Sequence, residues 1–175
     1  MERLWAPWRM EYIGSAREGK DEGCLFCEKP KEGDGEKALI VARSELAFAM
    51  LNRYPYNSGH LMVAPFRHVG ELEEVKDDES LDMQQLLQRC IQALKEAMQP
   101  EGFNIGMNLG VVAGAGIPDH LHWHVVPRWT GDTNFMSVIG GTRVLPEDMT
   151  ETVARLRPIF ERLKESKETT TARKT

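Results

Sequence analysis

"DHLHWHVVPRW", residues 119–129, sets His120, His122 and His124 at alternate positions. The chain has five histidines in 175 residues, so a run this dense needs a reason. Alternation is strand spacing. On a strand the three imidazoles share one face, successive ones about 6.6–6.8 Å apart, and Leu121, Trp123 and Val125 take the other. On a helix the rings would fan around the axis. The Leu–Trp–Val side therefore reads as core and the imidazole side as a site. Three uses fit such a face: histidines that satisfy buried polar groups, a three-histidine catalytic zinc site, or a covalent histidine nucleophile whose neighbours orient it or carry phosphate charge.

The segment just upstream favours the third. "GVVAGAGIPD" (110–119) has almost no side chain able to catalyse, many backbone N–H groups and little bulk, which suits close approach of an anion. A glycine-rich anion loop feeding a histidine-lined strand is the layout of a phosphoryl-transfer site. A neutral imidazole attacks phosphorus near pH 7 and forms a labile phosphoramidate without metal assistance.

Working outward, 38–42 and 46–52 read as strands joined by a turn at Arg43–Glu45, and 60–65 as a third strand. From Asp78 to Gln99 the period turns helical, with Leu81, Leu86, Leu87, Cys90, Ile91, Leu94 and Met98 as the apolar stripe. Acidic residues mark its start and Pro100 its end. Residues 103–110 and 121–128 supply two more strands. A second helix is expected from about Pro146 to Lys164, with a break or kink at Pro158. The fold class is α+β: a mainly antiparallel five-stranded sheet, one long helix and a C-terminal helix. Residues 1–22, with the aromatic stripe Trp5, Trp8 and Tyr12, form an N-terminal arm for packing or dimerisation. Residues 23–165 form the domain, and the polar 166–175 are expected to be a disordered tail.

"CLFC" pairs Cys24 with Cys27 in a charged loop. A redox pair expects a strand before it and a helix starting at it, so a metal site is favoured. Zinc needs two further ligands. His68 follows the third strand in a loop free to reach a metal, and His120 is the simplest fourth. The proposed set of Cys24, Cys27, His68 and His120 fills every position with protein, which makes the zinc structural; ordinary loop thiols are the alternative. No organic cofactor is expected.

Composition bounds the partners. A net charge of -5 argues against a broad nucleic-acid surface. No apolar run reaches the roughly 20 residues that span a bilayer, and the N-terminus lacks a signal-type apolar region. An odd cysteine count, three, argues against a disulfide framework. A cytoplasmic protein is expected, with no nucleic-acid or membrane partner.

"HLHWHVV" and the upstream "LNRYPYNSGHLMVAPFRHV" together resemble the two signatures of the histidine triad (HIT) superfamily of nucleotide hydrolases and transferases, over roughly residues 24–130. "LWAPWRMEYI" and "PRWTGDTNFM" are similar to a narrower branch that includes diadenosine tetraphosphate phosphorylases. The resemblance implies that His122 is the nucleophile and His124 stabilises the α-phosphate and leaving group. His60 supports the triad, and His120 is similar to a zinc ligand. It implies further that Asn52 holds the ribose hydroxyls, that Leu51 and Met62 line the base pocket, and that Asn108 lies on the phosphate side. Many relatives carry Gln with Ser or Thr in the loop before the triad. Here Gly116 and Ile117 stand near those places, so backbone N–H groups, including that of Gly114, take over the phosphate contacts. The implied activity is phosphorolysis of diadenosine tetraphosphate to ADP and ATP through a nucleotidyl-histidine. Alternatives are hydrolysis of dinucleoside polyphosphates, nucleoside phosphoramidase activity, or a non-catalytic nucleotide-binding regulatory module. The implied ligands are adenine nucleotides or dinucleoside polyphosphates, with inorganic phosphate or water as acceptor, and the implied assembly is a homodimer.

Overall fold

A computed structural model describes residues 23–33, 38–132 and 148–172, with side chains described as far as Lys164. The N-terminal aromatic arm and the start of the expected second helix lie outside these residues. Five strands form one antiparallel sheet: β1 (Ile40–Arg43), β2 (Ala47–Leu51), β3 (Leu61–Pro65), β4 (Gly102–Met107) and β5 (Trp123–Arg128), in the order β1-β2-β3-β5-β4. Among the described residues three α-helices accompany it: α1 (Leu25–Glu28), α2 (Asp77–Met98) and α3 (Met149–Ala172). β5, though later in sequence than β4, thus inserts between β3 and β4. It meets β3 with Met62 opposite His124, and β4 with Gly106 opposite His124.

Alternation splits the sheet into two apolar faces. Ala47, Ala49, Leu51, Leu61, Val63, Leu121 and Val125 point to one side and pack with α2 and α3. Phe48, Met50, Met62 and Ala64 point to the other, where Phe26 covers them. The helix-side core is filled by Met83, Leu86, Leu87, Cys90, Ala93 and Leu94 of α2 and by Val153, Leu156, Ile159 and Phe160 of α3. Each large side chain so buried contributes about 1.5–3 kcal/mol of burial free energy.

Several local expectations shift. Leu81 is 59% exposed and off the stripe, because the buried face of α2 follows Glu79, Met83, Leu86 and Leu87, and Leu81 stands two residues and about 200° from Met83. "CLFC", expected as a loop, contains the single-turn helix α1, closed by Cys27 and Glu28 N–H groups donating to the Cys24 carbonyl. The regular part of β4 ends at Met107 and that of β5 begins at Trp123, so both are shorter than expected. α3 runs through Pro158 and on to Ala172, where a disordered tail was expected from 166.

The N-terminus of α2 is pinned to the loop after β3. Arg67 forms a fork of two 2.7 Å hydrogen bonds to Glu79, which also accepts from the Lys76 backbone N–H at 3.1 Å. Asp82, one turn on, accepts from Ser44 Oγ at 2.6 Å and Leu46 N–H at 2.8 Å, and so ties down the β1–β2 turn.

The Arg67 bonds hold the Glu79 carboxyl down at about 2, against an ordinary value of 4.5. A depressed carboxyl stabilises the fold above its unfolded value, and that contribution fades as pH falls from about 4.5 through about 2. Glu79→Ala should therefore lower stability near neutral pH by on the order of 2 kcal/mol. Thermal melts of both proteins should show the gap narrowing across that acid window; a gap independent of pH would contradict the assignment.

Candidate functional site

The imidazole face occupies the side of the sheet away from α2. His120 and His122 lie just before β5 and keep its alternation, while Leu121, between them, enters the helix-side core. The Leu121 N–H donates to the Val69 carbonyl at 2.8 Å, which holds this approach in line with the loop after β3. Gly70 sits beside it: a Cβ there would lie 3.1 Å from the Pro118 carbonyl oxygen and 3.2 Å from Asp119 Cα. A side chain at 70 would push on the backbone that carries His120.

Hydrogen bonds assign the ring protons. His122 places Nδ1 2.9 Å from the His120 carbonyl oxygen. A carbonyl only accepts, so Nδ1 carries the proton and Nε2 keeps its lone pair. His120 places Nε2 2.9 Å from the Pro65 carbonyl, which by the same reasoning leaves its Nδ1 lone pair free. His60 Nδ1 accepts from the Tyr56 backbone N–H at 3.0 Å. In neutral His60 the proton is then on Nε2, and it is donated to His124 Nδ1 at 3.0 Å. The proton of neutral His124 is consequently on Nε2. The His122 and His124 rings meet edge-on, with centroids 4.8 Å apart.

Burial reinforces neutrality. His122 is 5% exposed, and burial holds its imidazole below the usual histidine value. His120 is fully enclosed; burial is the main cause that pushes it down to about 4, partly opposed by the Pro65 hydrogen bond.

Next to this face, Cys24, Cys27, His68 and His120 present ligand atoms all within 4.8 Å of one another. His120 Nδ1 lies 3.3 Å from Cys24 Sγ and 3.6 Å from Cys27 Sγ, and His68 Nδ1 lies 3.4 Å from Cys27 Sγ. Tetrahedral coordination at zinc-type bond lengths sets ligand atoms about 3.3–3.8 Å apart, so the donor set fits one metal ion. Both histidine donors use Nδ1, and the Pro65 carbonyl fixes the His120 tautomer from behind, as ligating imidazoles require. Burial and the neighbouring Cys24 push the Cys27 thiol up to about 11. A divalent cation at the centre reverses that preference by pairing with the thiolates.

A family model described as the HIT domain matches residues 35–131. The chain belongs to the HIT domain family. It is 46% identical over 158 residues to an AP-4-A phosphorylase of Mycobacterium tuberculosis, which spans 87% of this chain and 80% of that protein. Among solved structures it is similar to a Zn-bound histidine triad protein of Mycobacterium smegmatis (TM-score 0.65, 25% identity, 82% of this chain and 97% of that one). It is also similar to a hypothetical histidine triad nucleotide-binding protein of Sulfolobus tokodaii (TM-score 0.64, 26% identity, 81% and 94%).

Within the HIT domain, the residues singled out from sequence are brought together unevenly. His60, His122 and His124 adjoin, and Met62 faces His124 across the β3–β5 pairing. Asn52 reaches the same corner, with Nδ2 3.4 Å from His60 Nδ1, while its Oδ1 accepts from the Tyr54 N–H. Ile117 packs on the Phe26–Phe48–Met62 cluster. Leu51 is a correction: strand alternation turns it into the helix-side core, and Met50 is its neighbour on the histidine face. The glycine loop is partly closed on itself. The Gly114 N–H donates to Val111, that of Ala115 to Gly110, and Asn108 Nδ2 reaches the Gly114 carbonyl at 3.5 Å. The Gly114 and Ala115 N–H groups thus serve the loop's own turn.

Three contributors went unread in the sequence. Phe26 stands 4.6 Å from the His122 ring and 5.2 Å from that of His120, a wedge between the metal cluster and the triad. Its place inside Cys-x-x-Cys was the available signal. Tyr56 lies 4.7 Å from His60 and 5.9 Å from His124. Gly106, opposite His124, leaves open space where a side chain would stand.

Elemental analysis of purified protein should find about one equivalent of divalent metal per chain. Cys24→Ala should lose it and melt lower, because a site closed by four protein ligands contributes folding free energy. Full metal content in that variant would rule the cluster out.

Proposed function

We propose that this HIT chain is a diadenosine tetraphosphate phosphorylase, converting the dinucleotide and inorganic phosphate to ADP and ATP through a nucleotidyl-His122 intermediate. The observation that carries this reading is the hydrogen bond from His122 Nδ1–H to the His120 carbonyl. It fixes a neutral ring with its Nε2 lone pair available, which is the state a phosphorus nucleophile needs. Similarity to the Mycobacterium tuberculosis phosphorylase supports phosphate as the acceptor.

In the first step His122 Nε2 attacks the α-phosphorus. The N–P bond forms, the bridging P–O bond breaks, and ATP leaves with the electron pair. His124 Nε2–H faces the developing charge as a donor, and His60, anchored by the Tyr56 N–H, positions it. In the second step a phosphate oxygen attacks the same phosphorus from the side ATP vacated. The N–P bond breaks, ADP is released, and His122 recovers its lone pair. In this reading Asn52 orients the ribose. Met50 and Met62 border the base, and Asn108, Gly116 and Ile117 line the phosphate path.

The metal in this reading is zinc, held by Cys24, Cys27, His68 and His120. With all four positions filled by protein it supplies rigidity beside the nucleophile and no open coordination position. The enzyme works as a homodimer on soluble nucleotides in the cytoplasm. Among the described residues, no helix is long and apolar enough to cross a membrane.

Incubation with diadenosine tetraphosphate, with and without phosphate, tests the function. Phosphate-dependent release of ADP and ATP in equal amounts is the expected result. AMP and ATP released without phosphate would make the chain a hydrolase, and tight binding without turnover a regulatory module. His122→Gly should lower turnover by at least about 10³-fold, as expected when a covalent nucleophile is removed. Near-normal rates would sink the nucleotidyl-histidine step.

A further inference from the structure

At the β1 edge of the sheet, a cavity of about 170 Å³ opens between β1, α2 and the middle of α3. Its lining holds four cationic side chains, Arg43, Arg89, Arg157 and Lys164, against a single carboxylate, Glu161. It shares no residue with the imidazole site or the metal cluster.

Arg89 is the telling member. It is only 8% exposed, and its Nε is sealed from solvent with no hydrogen-bond partner. No carboxylate pairs with it among the described residues. A guanidinium stays charged at any relevant pH, and burying it without a counter-charge is strongly unfavourable. Around it the charge is made worse, since Arg157 is only half-buried on the same wall and Lys164 lies one helical step beyond Glu161. Arg43 is already engaged, donating from Nη2 to the Pro30 carbonyl at 2.8 Å and lying over the Phe66 ring. Arg89 and Arg157 are therefore the two forks that a ligand would meet.

We propose that this cavity binds a small multivalent oxyanion of the phosphate class, either inorganic phosphate or pyrophosphate. Guanidinium forks match tetrahedral oxyanions bidentately. The volume of about 170 Å³ lies below the roughly 300–1,000 Å³ of pockets that enclose organic ligands, which favours an inorganic anion over a whole nucleotide. A bound anion supplies the counter-charge that Arg89 lacks and links β1, α2 and α3 at one point. The inference does not depend on the phosphorylase reading, since no group of the imidazole site takes part.

The test uses the full chain, dialysed into phosphate-free chloride buffer. Melting temperature and calorimetric affinity are followed as pyrophosphate or phosphate is added. Wild type and His124→Ala, which alters the imidazole site, should both melt higher with the anion. Arg157→Glu, a change at a half-buried position, should bind at least about tenfold more weakly, the loss of one charge-assisted contact and more. Arg89→Met, an apolar replacement of similar length, should melt no lower than wild type without anion and gain nothing from it. A response kept in Arg157→Glu and Arg89→Met, or abolished by His124→Ala, overturns the proposal, because it puts the anion at the imidazole site. ADP supplies the last arm. If its stabilisation is unchanged in Arg157→Glu, nucleotide phosphates do not use the cavity, as expected. If only ADP, and neither inorganic anion, loses its effect there, the cavity takes a nucleotide tail and the inorganic assignment fails.

Discussion

His120 is held from three directions, and the rest of the site follows from that grip. Its Nε2–H donates to the Pro65 carbonyl at the end of β3, its Nδ1 faces the Cys24 and Cys27 sulfurs, and its own carbonyl accepts the His122 Nδ1–H. One residue thereby connects the sheet, the cysteine–histidine cluster and the tautomer of its neighbour. A ring free to rotate would break the first two links. A backbone free to shift would break the third, and the His122 proton could then sit on either nitrogen. Burial adds to the constraint, because neither ring can take up charge cheaply in a space this closed.

The sheet divides its labour by alternation. Odd-numbered residues of β2, β3 and β5 meet α2 and α3 in an ordinary hydrocarbon core. Phe48, Met50, Met62 and Ala64 among the even-numbered ones pack with Phe26, on the face that carries the histidines. A one-residue slip of β5 would turn His122 and His124 into the helix core and bring Leu121 and Trp123 to the site, so the Met62–His124 pairing is under strong selection by burial alone. Phe26 closes the histidine side. α1 is a single turn, too short to be stable by itself. Its sulfurs on the metal cluster and its ring against Phe48, His120 and His122 are what hold it.

Charge is arranged with equal economy away from the histidines. Glu79 satisfies Arg67 and the start of α2 with one carboxylate, and Asp132 satisfies Arg128, Asn57 and the Trp129 N–H with another. Against that pattern of matched groups, the unmatched Nε of Arg89 stands out.

The sequence by itself determined the period of each element and the chemistry of its donors. Histidines at alternate positions can share a face only on a strand, and two cysteines three apart can share a metal only with help from elsewhere. The five strands, the long helix and the Cys24–Cys27–His68–His120 cluster were legible for that reason. Tertiary structure decided whatever depends on through-space neighbours. Which ring nitrogen carries a proton rests on carbonyls supplied by other segments, such as Pro65 for His120. That Leu51 turns inward while Met50 faces the histidines depends on strand register, which pattern alone leaves one residue uncertain. Phe26 reads in sequence as a spacer between two cysteines. Only when the turn of α1 is set against the sheet does it become the wedge between the cysteine–histidine cluster and the His122 ring. Arg89 likewise looks like one more helical charge until α3 closes over it, because whether a buried cation has a partner is a property of packing.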